Sequence, residues 1–511
     1  MTPTGHALGR DRLAGRPENR EYSRQFGWHL GTPGFMVFSS LTFVCLFLPV
    51  VVAAYFLSPS RSRNLVLVIA SVVFYAWSIP LAVVLVLSLI AINFGLGEAI
   101  EKRTGDARYS VIVVGIGLNL LVLISFKYAD FLLENLNALL GLVSDWRVPL
   151  PHIALPLGIS FFTFHIISYL VDVYRGSVHA QKSRVAFTLY IINFPQLIAG
   201  PIIRYHQISD QLQQRTVRFA DIDLGVGRFT TGLAKKLIVA NPIGAVADQI
   251  FTVSPDQLTS GTAWLGVLCY GLQIYFDFSG YSDMAIGIAR IFGFRFPENF
   301  NYPYSAMSIQ DFWRRWHITL SLWFRDYVYI PLGGNRHGLW KTARNLWIVF
   351  FLAGVWHGAS WNFIIWGLWH GLFLWLERLA LVEATFSRLP KFAHHGYAMF
   401  VVFIGWVFFR SPTLDYAIGF LARMGGFGSR NGGLTLSVNV STPMMVLIAV
   451  ACGIALPLWP RLRAMGEDIA SRPSGAIAMD LTRMVLVGVV MMLSLATMAV
   501  EAYNPFIYFQ F

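Results

Sequence analysis

Charge is scarce in this sequence. Only 13% of its 511 residues are charged, against 56% hydrophobic. A soluble domain carries about 25% charged residues, so the composition points to lipid as the surrounding solvent. Cysteine is nearly absent: Cys45, Cys269 and Cys452 are the only three. They lie far apart, in or near apolar runs, which excludes a disulfide framework and reads as buried thiols acting as small hydrophobes. No internal repeat and no inverted pair of halves is present, which argues against a transporter built from inverted repeats. There is no G-x-S-x-G elbow, no phosphate-binding P-loop and no zinc-ligand spacing. The net charge of +12 is better explained by basic loops on the cytoplasmic side of a membrane than by nucleic acid, because no basic-aromatic groove accompanies it.

What the chain does contain is apolar runs. Residues 36–57 suffice to cross a hydrocarbon core of about 30 Å. Further runs span 64–100, 110–126, 153–171, 187–199, 262–291, 346–355, 363–376, 398–409, 443–459 and 484–500. Some are long enough for two helices; others are too short to span and read as re-entrant. The expectation is an all-α, polytopic integral membrane protein with about ten to twelve spans, because unpaired backbone groups find no partner in lipid. Residues 1–35 differ from the rest. They carry Arg10, Arg12, Arg16, Arg20 and Arg24 and no apolar run, so they read as a disordered basic extension, with residues 36–511 as the membrane domain. Both this extension and the loop from Ser58 look cytoplasmic under the positive-inside rule, although one span separates them. That conflict makes Met36 the expected natural start.

Residues 294–345 are too polar to span and too aromatic for a solvated loop, which suits amphipathic helices in the interface or dipping into the bundle. Within them stands "DFWRRWHITLSLWFRDYVYIPLGGNR". Arg314, Arg315, Arg325 and Asp326 read first as interfacial anchors and salt-bridge partners. His317, placed on a helix one turn after Trp313, reads by itself equally well as core or as functional. His357, in "LAGVWHGASWNFIIWGLWHG", follows an apolar run and has Gly354, Gly358 and Ala359 as small neighbours. Ionisable groups at membrane depth are costly and mark pathways or reaction centres. His370 reads first as packing. Asp277 and Asp283 interrupt another apolar run, where a helix break with arginine-paired carboxylates is the first expectation. His165, Asp172, Gln196 and Arg204 are further polar residues near apolar segments, and Gly200-Pro201 breaks a helix. Two intramembrane histidines with a few acids suit proton transfer and acyl transfer better than metal or serine hydrolysis.

These motifs, together with "MVFSSLTF", "LPLGISFFTFHIISYLVDVYRG", "FPQLIAGPIIRY" and "YFDFSGYSDMAIGIARIFGFRFPENFNYPY", resemble the membrane-bound O-acyltransferases. The likeness is to the bacterial branch of the alginate O-acetylation membrane protein and the teichoic-acid D-alanyl transfer protein. It runs from about Met36 to the C-terminus. It implies a ring of tilted helices with a funnel from each side. It also implies that His357 matches the hallmark catalytic position and His317 the second motif's polar residue. The implied function is transfer of an acetyl group from a cytoplasmic thioester, acetyl-CoA, across the bacterial inner membrane for O-acetylation of an exported polysaccharide. An extracytoplasmic transferase is the expected partner. His357 would serve as general base, and His317 would orient it or hydrogen-bond the carbonyl oxygen. A CoA donor needs a basic cytoplasmic entrance, for which Arg204, Lys235, Lys236, Arg336 and Arg344 are candidates, with the backbone of "PLGGNR" beside them. Two alternatives stay open: a D-alanyl or longer acyl cargo from a carrier protein, and a polysaccharide or lipid transporter with the histidines as proton relay.

Overall fold

The structure is a computed structural model that describes residues 36–386, 388–427, 440–458 and 473–500. The basic extension at 1–35, part of the glycine-rich segment after Arg423 and the C-terminal 501–511 lie outside the described residues. Every regular element among the described residues is helical. A π-turn, Thr42–Phe47, leads into α1 (Leu48–Leu57), followed by α2 (Arg63–Ser78), α3 (Pro80–Lys102) and α4 (Gly105–Lys127). Then come α5 (Ala129–Leu140), α6 (Ile159–Arg175), and the short α7 (Arg184–Ile192), α8 (Phe194–Leu197) and α9 (Tyr205–Gln213). Helix α10 (Phe219–Ala234) runs through a π-turn, Lys235–Ala240, into α11 (Asn241–Phe251), and α12 (Ser260–Ile291) follows. Two short helices, α13 (Ile309–Arg315) and α14 (Ile318–Phe324), precede the pair α15 (Leu339–His357) and α16 (Trp361–Leu376). The chain continues through α17 (Ala380–Phe386), α18 (Lys391–Arg410), α19 (Leu414–Met424), α20 (Thr442–Ala455) and α21 (Pro473–Val500).

Among the described residues, four helical stretches are long and apolar enough to cross a bilayer: 80–102, 105–127, 391–410 and 479–500. They carry exposed Leu81, Val84, Val114, Leu121, Phe400 and Met492, as expected of lipid-facing surfaces. The run at 64–100 does hold two helices, separated at Ile79 by Pro80. Proline lacks the N–H and disfavours a helical residue before it, so one helix ends where the next begins.

The centre is α12. It has 32 residues, about 48 Å at 1.5 Å per residue, and it is buried along most of its length. Glycines let α10 approach it. A Cβ built on Gly280 would fall 2.7 Å from the Gly232 carbonyl oxygen, and one on Gly287 would fall 2.6 Å from the Gly225 oxygen. The seven-residue spacing on both helices makes one seam of small residues, the packing that membrane helices favour. This seam sets Lys235 Nζ 2.7 Å from Asp283 and Lys236 Nζ 2.6 Å from Asp277, while Arg228 joins Asp283 to Glu298. The expected break at Asp277 and Asp283 does not occur: α12 is continuous. The carboxylates are accommodated by cations from the neighbouring helix, mostly lysines, so the backbone ladder need not open.

The run at 187–199 does not span. It forms α7 and α8, and residues 198–203 follow as irregular, buried chain. Irregular backbone at this depth needs partners from the protein. Ile202 N donates to Thr319 Oγ1 at 3.0 Å, Ile203 N to His165 Nε2 at 3.4 Å, and Tyr190 Oη to the Ile203 oxygen at 3.0 Å. His165 therefore has a structural task here. Cys269 is buried as expected, whereas Cys45 is exposed and Cys452 partly so. Both lie on apolar helices whose outer faces are suited to lipid rather than to a core.

Candidate active site

His317 is not on a helix. Helix α13 ends at Arg315, and His317 sits at the start of α14 with φ 42° and ψ 54°, a left-handed backbone. Such a conformation costs a non-glycine residue about 1–2 kcal/mol and is held only where the surroundings enforce it. Here the enforcement comes from the segment after α12. Asn301 N donates to the Arg315 oxygen at 2.9 Å, and Ile318 N donates to the Asn299 oxygen at 3.0 Å. Helix α13 is itself fixed at its start: the Ser308 hydroxyl accepts from Asp311 N, and the Glu377 carboxylate accepts from Ile309 N and Gln310 N at 2.6 and 3.0 Å.

The ring of His317 is fully buried and its Nδ1 lies 3.0 Å from Asn299 Oδ1. The proton can be assigned. Thr319 N, a donor only, points at the same Asn299 oxygen at 3.3 Å. Thr319 Oγ1 accepts from Ile202 N and so donates its own proton to Asn299 Oδ1 at 2.9 Å. The amide NH2 of Asn299 faces Ser282 Oγ at 3.1 Å. Asn299 Oδ1 is thus an acceptor, Nδ1 of His317 carries a hydrogen, and in the neutral ring Nε2 carries the lone pair.

His357 is the last residue of α15 and is 3% exposed. Gly358 then extends the chain, and Ser360 caps α16 by accepting from Asn362 N. The imidazole is enclosed by Trp366 and Phe409, at centroid distances of 4.8 and 5.1 Å. Trp356 packs against both histidines, 4.8 Å from His357 and 6.2 Å from His317. Residues forty apart in sequence thus share one buried aromatic chamber. Histidine is the side chain best suited to take and return a proton near neutral pH. Two that pack against one indole, one of them with a fixed tautomer, can move a proton from a hydroxyl to a leaving group.

Other residues singled out in the sequence lie elsewhere. His370 packs in a cage of Phe312, Trp313 and Trp366. Asp172 accepts from Tyr327 Oη at 2.8 Å and pairs with His206 at 2.9 Å. Gln196 donates to the Tyr190 oxygen. Of the five proposed donor cations, Arg204 is buried against Asp326, and Lys235 and Lys236 are held by Asp283 and Asp277. Arg336 and Arg344 are exposed. The expected phosphate cradle of "PLGGNR" is not available from its glycines. Gly333 N and Gly334 N already donate to the Ile330 and Tyr329 oxygens, at 2.9 Å each. Their φ values of 99° and 58° explain the glycines instead: the turn needs left-handed residues. Asn345 pins this turn to α15 by donating to the Gly334 oxygen at 2.8 Å. Sequence reasoning missed Asn299, Thr319, Lys127 and Tyr128, since a lone Asn, Thr or helix-end Lys has no spacing signature.

The fold and this site define a polytopic helical membrane enzyme with a buried histidine pair. The family model described as MBOAT, membrane-bound O-acyltransferase family, matches residues 141–412, including both histidines. The chain belongs to the membrane-bound O-acyltransferase family and is an acyltransferase. It is 41% identical over 503 residues to a "probable alginate O-acetylase" of Azotobacter vinelandii, covering 93% of this chain and 100% of the relative. It is 38% identical to a peptidoglycan O-acetyltransferase of Helicobacter pylori, covering 76% of this chain and 80% of that one. A teichoic acid D-alanyltransferase of Bacillus subtilis is 33% identical over 43% of this chain and 58% of its own length.

Proposed function

We propose that the enzyme moves an acetyl group from a thioester donor, acetyl-CoA, onto a hydroxyl for O-acetylation of an exported polysaccharide of the alginate type, at the bacterial inner membrane. The observation that carries this reading is the His317–His357 chamber. Support for acetyl as cargo comes from the relatives matched along most of their length, whose names specify acetyl transfer; the D-alanyl relative matches over a shorter stretch.

In the reaction the hydroxyl oxygen forms a bond to the thioester carbonyl carbon, the C–S bond breaks, and the hydroxyl proton ends on the departing thiolate. His357 removes that proton as general base, help worth about a hundred- to ten-thousand-fold. His317 offers a lone pair at Nε2, so in its neutral form it accepts rather than donates there. It orients His357 or takes the relayed proton. A hydrogen bond from His317 to the carbonyl oxygen would require the imidazolium. A separate extracytoplasmic transferase is the expected next holder of the acetyl group. The CoA phosphates fall to Arg336 and Arg344, because Arg204, Lys235 and Lys236 are already engaged by carboxylates.

Purified protein in detergent should release free thiol from acetyl-CoA in the presence of a small alcohol and form the acetyl ester. His357→Ala should abolish this while inserting normally, since the loss of one ring does not unmake a bundle this size. Absence of turnover together with gradient-driven polysaccharide or lipid flux in vesicles would overturn the reading in favour of a transporter.

A further inference from the structure

Every α-helix ends with carbonyls that lack intrahelical partners. At the end of α15 these belong to Val355, Trp356 and His357, the catalytic residue itself. The three are met by two consecutive side chains from the α4–α5 junction. Tyr128 Oη donates to the Val355 oxygen at 2.8 Å. Lys127 Nζ lies 2.5 Å from the Trp356 oxygen and 3.5 Å from the His357 oxygen. The third Lys127 donor reaches Ser160 Oγ, in the first turn of α6, at 3.4 Å. Its ammonium also stands 5.8 Å from the centre of the Trp356 ring, the same indole that touches both histidines.

We infer that Lys127 is a positioning residue for acyl transfer: with Tyr128 it caps the C-terminus of α15 and so fixes where the His357 imidazole stands. This rests on the reading of His357 as the base. Three observations favour it over the alternatives. A lysine that merely anchors a helix end carries its amine outward to headgroups and water, but this one turns inward to backbone carbonyls of another helix. A substrate-binding lysine keeps its amine open to the substrate; this one is held at 2.5 Å by the Trp356 oxygen, with the Ser160 hydroxyl and the His357 oxygen next nearest at 3.4 and 3.5 Å. Among the described ion pairs Lys127 has no carboxylate partner, so the carbonyls are what hold it. Lys127 lies outside the stretch that the family model matches, 141–412, so this contact ties the matched domain to the helices before it.

The test measures kcat and KM for acetyl-CoA and for a hydroxyl acceptor in proteoliposomes, with wild type, Lys127→Met, Lys127→Arg and Tyr128→Phe. Displacement by about 1 Å costs on the order of a hundredfold in rate. Lys127→Met should therefore lose about that in kcat with both KM values unchanged, and Lys127→Arg should recover most of it. Tyr128→Phe should show a smaller loss of the same kind. Wild-type kcat in Lys127→Met, or a raised KM alone, overturns the inference. If Lys127→Met does not fold, Tyr128→Phe decides, since it keeps the ring and loses one hydrogen bond. A lower kcat there at unchanged KM supports the cap, and an unchanged kcat overturns it. Wild type without thioester turnover removes the functional reading, and the cap's catalytic role falls with it; wild type with turnover leaves only the cap at stake.

Discussion

His317 and His357 are held in different ways, and each way makes a different demand on mutation. The ring of His317 is set by a hydrogen bond to Asn299, whose oxygen also receives Thr319 N and Thr319 Oγ1. Asn299→Ala removes the acceptor for all three. The Nδ1–H tautomer then loses its advantage, and kcat should fall by about a hundredfold, with protein yield and donor KM largely kept; wild-type kcat in a folded Asn299→Ala would dismiss the tautomer argument. His317→Asn separates proton transfer from hydrogen bonding. An amide donates and accepts but does not take a proton at neutral pH. If His317 relays the proton, the asparagine variant should be about as impaired as His317→Ala. Substantial residual activity would assign His317 to hydrogen bonding alone.

At the scale of elements, the decisive contact is the seam between α10 and α12. Its glycines are required by distance, since a Cβ on Gly232 would sit 2.7 Å from Met284 N and closer still to the Gly280 oxygen. Backbone atoms cannot move aside as a flexible side chain can. Gly232→Leu should force the helices apart and draw Lys235 and Lys236 from Asp283 and Asp277, leaving charges buried without their partners at a cost of about 3–5 kcal/mol. A lowered unfolding temperature in detergent, with loss of monodisperse protein, is the expected result; a Gly232→Leu variant as heat-resistant as wild type would show that the seam is looser than drawn. The short helices α13 and α14 obey a related logic. They are too short to hold themselves, so the Glu377 cap and the Asn299–Asn301 segment define them.

If the donor is the acetyl-CoA proposed above, the whole molecule has to bring a charged, water-soluble thioester to a buried chamber. Of the five cations proposed for that task, Arg336 and Arg344 are exposed and have no carboxylate among the described ion pairs, although Arg344 also donates to Asn345 Oδ1 at 2.9 Å and to the Leu332 oxygen at 3.3 Å; the other three are held by carboxylates. Arg336→Gln with Arg344→Gln should raise the KM for acetyl-CoA with kcat nearly unchanged, as when binding is lost equally in ground and transition states. The effect should shrink with a phosphate-free thioester such as N-acetylcysteamine. An unchanged KM in the double variant would place the phosphates elsewhere.

Much of this protein was legible in its sequence, and the physical reason is periodicity and cost. Long apolar runs can only be helices in lipid, so the all-helical membrane fold follows from composition and run length. A histidine beside an apolar run is expensive, which marks His357 from sequence; His317, in a polar and aromatic segment, is marked only by its company and by the family motif. Contacts between distant segments carry no such local mark. Nothing in the sequence near Asn299 says that its oxygen will fix a tautomer at His317. Nothing at Lys127 or Tyr128 says that they will close the end of a helix more than two hundred residues away. The continuity of α12 through Asp277 and Asp283 was hidden for the same reason: its neutralising cations come from another helix. The helical break at His317 ran against local pattern, because the backbone there is bent by hydrogen bonds from the Asn299–Asn301 segment rather than by its own residues. The sequence determined which groups sit at membrane depth; the tertiary structure alone decided which of them meet, because pairing depends on how closely the helices pack.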